Sequence, residues 1–140
     1  MAALTAKSLQ ELADSRAAEA LALLQLGHFS GAYYLAGYAL ECGLKALIAG
    51  GFEAGVIPDK KLVQQIYTHK LHELLKLAGI EGEGKELADR QPAFKENWLI
   101  ALDWNEESRY EIHDADTADS LVSAILDLEN GVFPWVRSKW

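Results

Sequence analysis

The chain has 140 residues, half of them hydrophobic and about a quarter charged, which suits one globular domain with a sizeable core and leaves too little for two. Its 13 basic and 21 acidic residues give a net charge of −8, so bulk attraction to nucleic acid or an anionic membrane is disfavoured, and any nucleic-acid site must be a local patch. The single cysteine, Cys42, excludes an intrachain disulfide and a Cys-rich zinc site and fits a reducing compartment.

The opening residues, MAALTAKSLQ, lack the apolar run and cleavage site of a secretory signal, and the expected location is cytoplasmic. Helical spacing then predicts a first helix over about Thr5–Leu26, with Leu9, Leu12, Ala13, Ala17, Ala20, Leu23 and Leu24 on one face. Residues 20–40 hold no Asp, Glu, Lys or Arg, but two glycines and three polar side chains at Gln25–Gly31 mark a tight connection rather than a membrane span. A second helix, about Phe29–Ala49, lines up Ala32, Leu35, Ala36, Ala39, Leu40, Gly43 and Leu47 and pairs with the first as an antiparallel hairpin. Gly50-Gly51 ends it, and a connection without strong periodicity follows. Thr68 is expected to cap a short helix over His69–Leu77 that stops at Gly79. The run Glu81–Gly84 reads as a turn before a helix over about Lys85–Trp104, with Pro92 as a kink or restart. Residues 106–114 read as irregular. A last helix from Asp116 or Thr117 directs Leu121, Ile125 and Leu128 inward and ends near Gly131 or continues past Pro134. The fold class is all-α: a single domain over 1–140, an up-and-down four-helix bundle with one additional short helix.

Four constellations could carry chemistry. On the second helix Tyr34, Tyr38, Glu41 and Lys45 follow spacings of four, three and four. This stripe reads either as a solvated face with one weak ion pair, or as a dimer face or a cleft for a polar ligand. Arg16 falls within the apolar face of the first helix. It either snorkels to water or pairs with Glu41 or a bound anion. Arg109 and His113 stand four apart in a polar loop: arginine can hold a phosphate and histidine can move a proton, the minimum for metal-independent RNA cleavage. The bland alternative has Arg109 bridging to Glu41, Glu107 or Glu111. His69 and His72 share one side of the short helix but lack a third ligand, so no metal and no cofactor is expected, and His69 reads as a hydrogen-bonder at the helix start. Eight acids against Arg109 alone make the segment 106–129 net −7, a concentration that suits a basic partner protein.

The run Gly31–Ala46 (GAYYLAGYALECGLKA), followed by His69-Lys-Leu-His-Glu-Leu-Leu75 and Ser108-Arg-Tyr-Glu111, with Arg16–Leu21 before them, resembles the HEPN domain of prokaryotes over nearly the whole chain. The resemblance implies a bundle of four or five helices, usually a homodimer with a cleft at the partner contact. Members are RNases or toxins neutralised by a nucleotidyltransferase encoded beside them, or non-catalytic nucleotide or RNA binders. Arg109 and His113 are separated by three residues, where RNase members have four to six. Arg109 matches the Ser-Arg-Tyr-Glu pattern of a subgroup not defined by RNase activity. The expected function is a dimeric HEPN-type module binding a nucleotide, RNA or an antitoxin partner through Tyr34, Tyr38, Glu41, Lys45, Arg16, Arg109 and Tyr110. The alternatives are an RNase using Arg109 and His113, with both subunits contributing across the dimer, and a protein-interaction subunit anchored by Phe133, Trp135 and Trp140, a tail that equally suits folding back on the bundle.

Overall fold

A reciprocal cap starts the chain's first helix: the Thr5 hydroxyl accepts from the Ser8 backbone N–H at 3.0 Å, and Ser8 Oγ accepts from the Thr5 N–H at 2.9 Å. The structure, a computed structural model, describes residues 3–140, and every regular element among them is helical. Helix α1 (Ala6–Gln25) buries Leu9, Ala13, Ala17 and Ala20, as the apolar stripe requires. It reverses through Gly27, whose φ of 82° lies in the left-handed region that glycine enters freely, into α2 (Phe29–Gly50). Both long helices match their predicted ranges to within one residue at each end.

The following elements are α3 (Lys60–Ile66), α4 (Leu71–Leu77), α5 (Glu81–Arg90), α6 (Pro92–Leu102), a 3₁₀ turn (Glu106–Tyr110), α7 (Ala115–Leu126) and α8 (Val132–Arg137). Helix α2 is the hub, packing against α1, α4, the 3₁₀ turn, α7 and α8. Alanine and glycine let so many neighbours approach one helix. The Trp104 indole lies against Gly37, where a Cβ would meet ring atoms at 2.1–2.3 Å, and Phe133 and Trp140 close on Gly43.

Several boundaries differ from the sequence reading, each for a local reason. Helix α3 occupies the stretch read as a plain connection; the Asp59 carboxylate caps it by accepting from the Leu62 N–H at 3.1 Å. Glu81–Gly84 is the first turn of α5 rather than a loop, because Gly84 packs beneath Trp98 and Trp135, a place with no room for a side chain. Of the kink and the restart expected at Pro92 the restart is found, unlike these boundaries: Gln91 takes φ −127°, ψ 100° ahead of Pro92, whose ring disfavours an α conformation in the residue before it. Helix α4 begins two residues later than expected, and Thr68 accepts from the Lys70 N–H instead of capping the helix itself. Leu128, expected inward, is 90% exposed, since α7 ends at Leu126 and Asp127 leaves helical geometry.

The C-terminal aromatics fold back on the bundle. Phe133 and Val136 are buried, Trp135 meets Phe94 and Trp98 edge-on, and Trp140 Nε1 donates to the Gly43 carbonyl at 3.1 Å. They therefore pack on the core, one of the two placements expected of this tail.

The α2–Trp104 contact gives a direct test. Gly37→Ala should lower unfolding free energy by roughly 2 kcal/mol through overpacking, read by urea denaturation; a change below about 0.5 kcal/mol contradicts the close approach.

Candidate functional site

Helical spacing carries Tyr34, Tyr38, Glu41 and Lys45 along one side of α2, but that side is not a solvated face. Glu41 is 3% exposed, covered by the segment leading into α4 and by the 3₁₀ turn. A carboxylate so buried needs compensation. Lys45 Nζ supplies it from the next turn at 3.1 Å, and His69 Nδ1 from across the fold, also at 3.1 Å. The other edge of the imidazole faces Glu106 Oε2 at 3.3 Å. His69 thereby ties α2 to the start of the 3₁₀ turn.

That turn presents Arg109 and Tyr110 beside the tyrosines. Arg109 is exposed, its guanidinium lies 4.9 Å from the Tyr110 ring centroid, and it forms no carboxylate pair within 4.0 Å among the described residues. Hydrogen bonding to Tyr110, then the Glu106 charge and the Tyr34 phenol, hold its pKa above the usual arginine value. Tyr34 in turn packs on Tyr38 at 5.9 Å and on Trp104 at 6.1 Å between ring centroids. Tyr110 is largely exposed. The result is a surface with one unpaired cation, an open aromatic ring and a histidine, built on a buried carboxylate.

The predicted site residues divide accordingly. Tyr34, Tyr38, Glu41, Lys45, Arg109 and Tyr110 converge. Arg16 does not: its guanidinium is bound at 2.6 Å to Glu19 on its own helix, while Glu41 is already held by Lys45 and His69. The bridges considered from Arg109 to Glu41, Glu107 or Glu111 are absent among the described residues at the same 4.0 Å limit.

His113 belongs to a different surface. It stacks on Tyr33 at 3.7 Å with an interplanar angle of 17°, and its backbone N–H donates to Ser30 Oγ at 2.9 Å. Tyr33 and Tyr34 point about 100° apart on the helix, so Arg109 and His113 attach to different sides of α2 within one protomer. His69, read from sequence as a helix-start hydrogen-bonder, lies between Glu41 and Glu106, the latter at the start of the turn that carries Arg109. His72 pairs instead with Glu81 at 2.7 Å, and no group of three or more potential metal ligands occurs among the described residues.

Behind this surface lies Cys42. Burial pushes its thiol up to about 11 and the neighbouring Tyr38 phenol up to about 12. No helix among the described residues is long and apolar enough to cross a membrane. No family model matches the sequence, and comparisons with curated proteins and solved structures returned no significant match.

The raised thiol and phenol have a pH consequence. The native state keeps both protons while the unfolded chain releases them from about pH 9 and 10 upward, so their stabilisation is complete below pH 9 and is lost as pH climbs toward 11 and 12. Cys42→Ala should remove on the order of 2 kcal/mol of the stability lost between pH 9 and 11. Denaturation series at pH 8 to 11 that coincide for both proteins, apart from a constant offset, contradict this.

Proposed function

We propose that the surface formed by Arg109, Tyr110, Tyr34 and Tyr38 binds the phosphate and base of a nucleotide or of single-stranded RNA, in a HEPN-type module. The observation that carries the reading is Arg109, an exposed guanidinium held among tyrosines without a carboxylate partner. A guanidinium offers a phosphate paired, charge-assisted hydrogen bonds, and an open tyrosine ring offers a base a stacking partner. Glu41 acts here as a positioning residue, since it is buried and held by Lys45 and His69.

Within one protomer Arg109 and His113 attach to different sides of α2, so the RNase alternative keeps its expected form, with both subunits contributing across a dimer, while binding at Arg109 needs one protomer only. Homodimer formation, and a nucleotidyltransferase antitoxin as partner, follow from the family resemblance and belong to the same proposal. The concentration of acids after residue 106 is compatible with a basic protein partner on the flank of this surface.

Trp104, packed on Tyr34, gives the test a built-in reporter. Titration with AMP and with a five-nucleotide single-stranded RNA at low salt should change tryptophan fluorescence saturably. Arg109→Ala should weaken binding at least tenfold at an unchanged melting temperature, and His113→Ala should leave it within twofold. An Arg109→Ala protein that binds as tightly as the wild type, or a wild type with no saturable response, overturns the reading.

A further inference from the structure

Helices α1 and α7 both pack on α2, and a groove runs between them that α8 extends. It consists of two hollows, of about 280 and 500 Å³, joined at Leu21 and Leu126. Each wall is one helical stripe. On α1, Ala17, Leu21 and Leu24 stand four and three residues apart. On α7, Asp119, Val122, Ser123 and Leu126 follow i, i+3, i+4, i+7. Leu21 is 45% exposed, and Leu128, thrown outward where α7 ends, lies at the groove edge 90% exposed.

The charge in this groove is one-sided. From residue 20 to its end α1 holds no Asp, Glu, Lys or Arg, whereas α7 sets Asp119 on the opposite rim. Asp127 follows about 12 Å further along the axis, at 1.5 Å per residue. Asp127 accepts from the Asn130 N–H at 2.8 Å, and neither acid has an ion-pair partner among the described residues. The one cation in the lining, Arg137, is taken by Asp14 through two hydrogen bonds at 2.9 and 3.0 Å. The groove thus joins an apolar floor to two uncompensated carboxylates on one rim.

We propose that the groove docks an amphipathic helix of a basic partner protein, its aliphatic stripe over Leu21, Leu126 and Leu128 and two lysines or arginines, about two turns apart, on Asp119 and Asp127. Walls made of helices accept a helix, and no strand among the described residues offers an edge to an extended segment. An isologous contact with a second copy would oppose the acids of one groove to those of the other, between chains that each carry −8. An anionic membrane or a nucleic acid meets the same repulsion. The groove shares no residue with the Arg109 surface, and docking here does not require a nucleotide there.

The probe is a fluorescein-labelled peptide of leucine and lysine, about 18 residues or five turns long, with leucines at helical spacing and lysines along one edge. A peptide of the same composition in scrambled order is its control. At physiological salt the helical peptide should bind at least tenfold more tightly than the scrambled one and shift the Leu21, Val122 and Leu126 methyl resonances saturably. Asp119→Lys should weaken it at least fivefold and Leu128→Asp at least threefold, both at exposed positions that the fold does not need. Glu53→Lys, which changes the net charge equally at an exposed position beyond α2, should leave binding within twofold. Equal affinity for the two peptides, or equal losses from Asp119→Lys and Glu53→Lys, overturns the proposal. So does a wild type that sediments as a dimer and that Leu128→Asp converts to a monomer, since the groove then belongs to a second copy.

Discussion

Glu41 places a carboxylate on the innermost helix of an all-helical fold, where water hardly reaches it. An uncompensated charge there would cost several kcal/mol, so the surrounding chain has to supply cations at fixed points. Lys45 comes from one turn further along α2. His69 comes from a separate segment and closes a link of 28 residues in sequence, bringing the start of α4 against α2. The same imidazole faces Glu106, and the 3₁₀ turn that begins there carries Arg109 and Tyr110. The surface proposed to bind ligand is thus assembled from three segments around one buried carboxylate.

The charge distribution takes on a different meaning once this arrangement is in view. The acids after residue 106 do not neutralise Arg109 directly: Glu106 faces His69, and Glu111 lies 3.4 Å from His113 Nε2. One cation is thereby left free within the most acidic stretch of the chain. An anion bound at Arg109, as proposed, would meet a local positive charge, with Glu41 held by Lys45 and His69 and the global −8 only a screened background. The acids also restrict how a long polyanion could lie beyond Arg109, which favours a mononucleotide or a short single strand.

Much of the fold was legible because helical patterning is strong in the long elements. The α1 stripe, the small residues of α2, the Gly27 turn and the restart at Pro92 were all present as residue spacing. What escaped was decided by contacts between distant segments. Gly82 and Gly84 argue locally for a turn, and only the Trp98 and Trp135 rings over Gly84 make a helix there favourable. Helix α3 spans seven residues, too short for periodicity to register, although Asp59 marked its start. In the site, the tyrosine–Glu41–Lys45 stripe was visible as spacing, and the Ser-Arg-Tyr-Glu segment through the family resemblance. The pairing of Glu41 with His69 was not, since nothing local distinguishes a histidine that reaches across a fold from one facing water. Of the two readings of Arg16 the surface one holds: its head reaches the surface, where it meets Glu19 on the neighbouring turn, and not Glu41.

The central claim is that Glu41 and His69 act as one unit. A double-mutant cycle on urea unfolding at pH 6.5, using Glu41→Gln, His69→Ala and the double variant, isolates their interaction from the separate effects of each side chain. The account predicts a coupling of roughly 1–2 kcal/mol between two residues far apart in sequence. Strict additivity, with a coupling below about 0.3 kcal/mol, would mean that the buried carboxylate is held by Lys45 alone and does not organise the surface that bears Arg109.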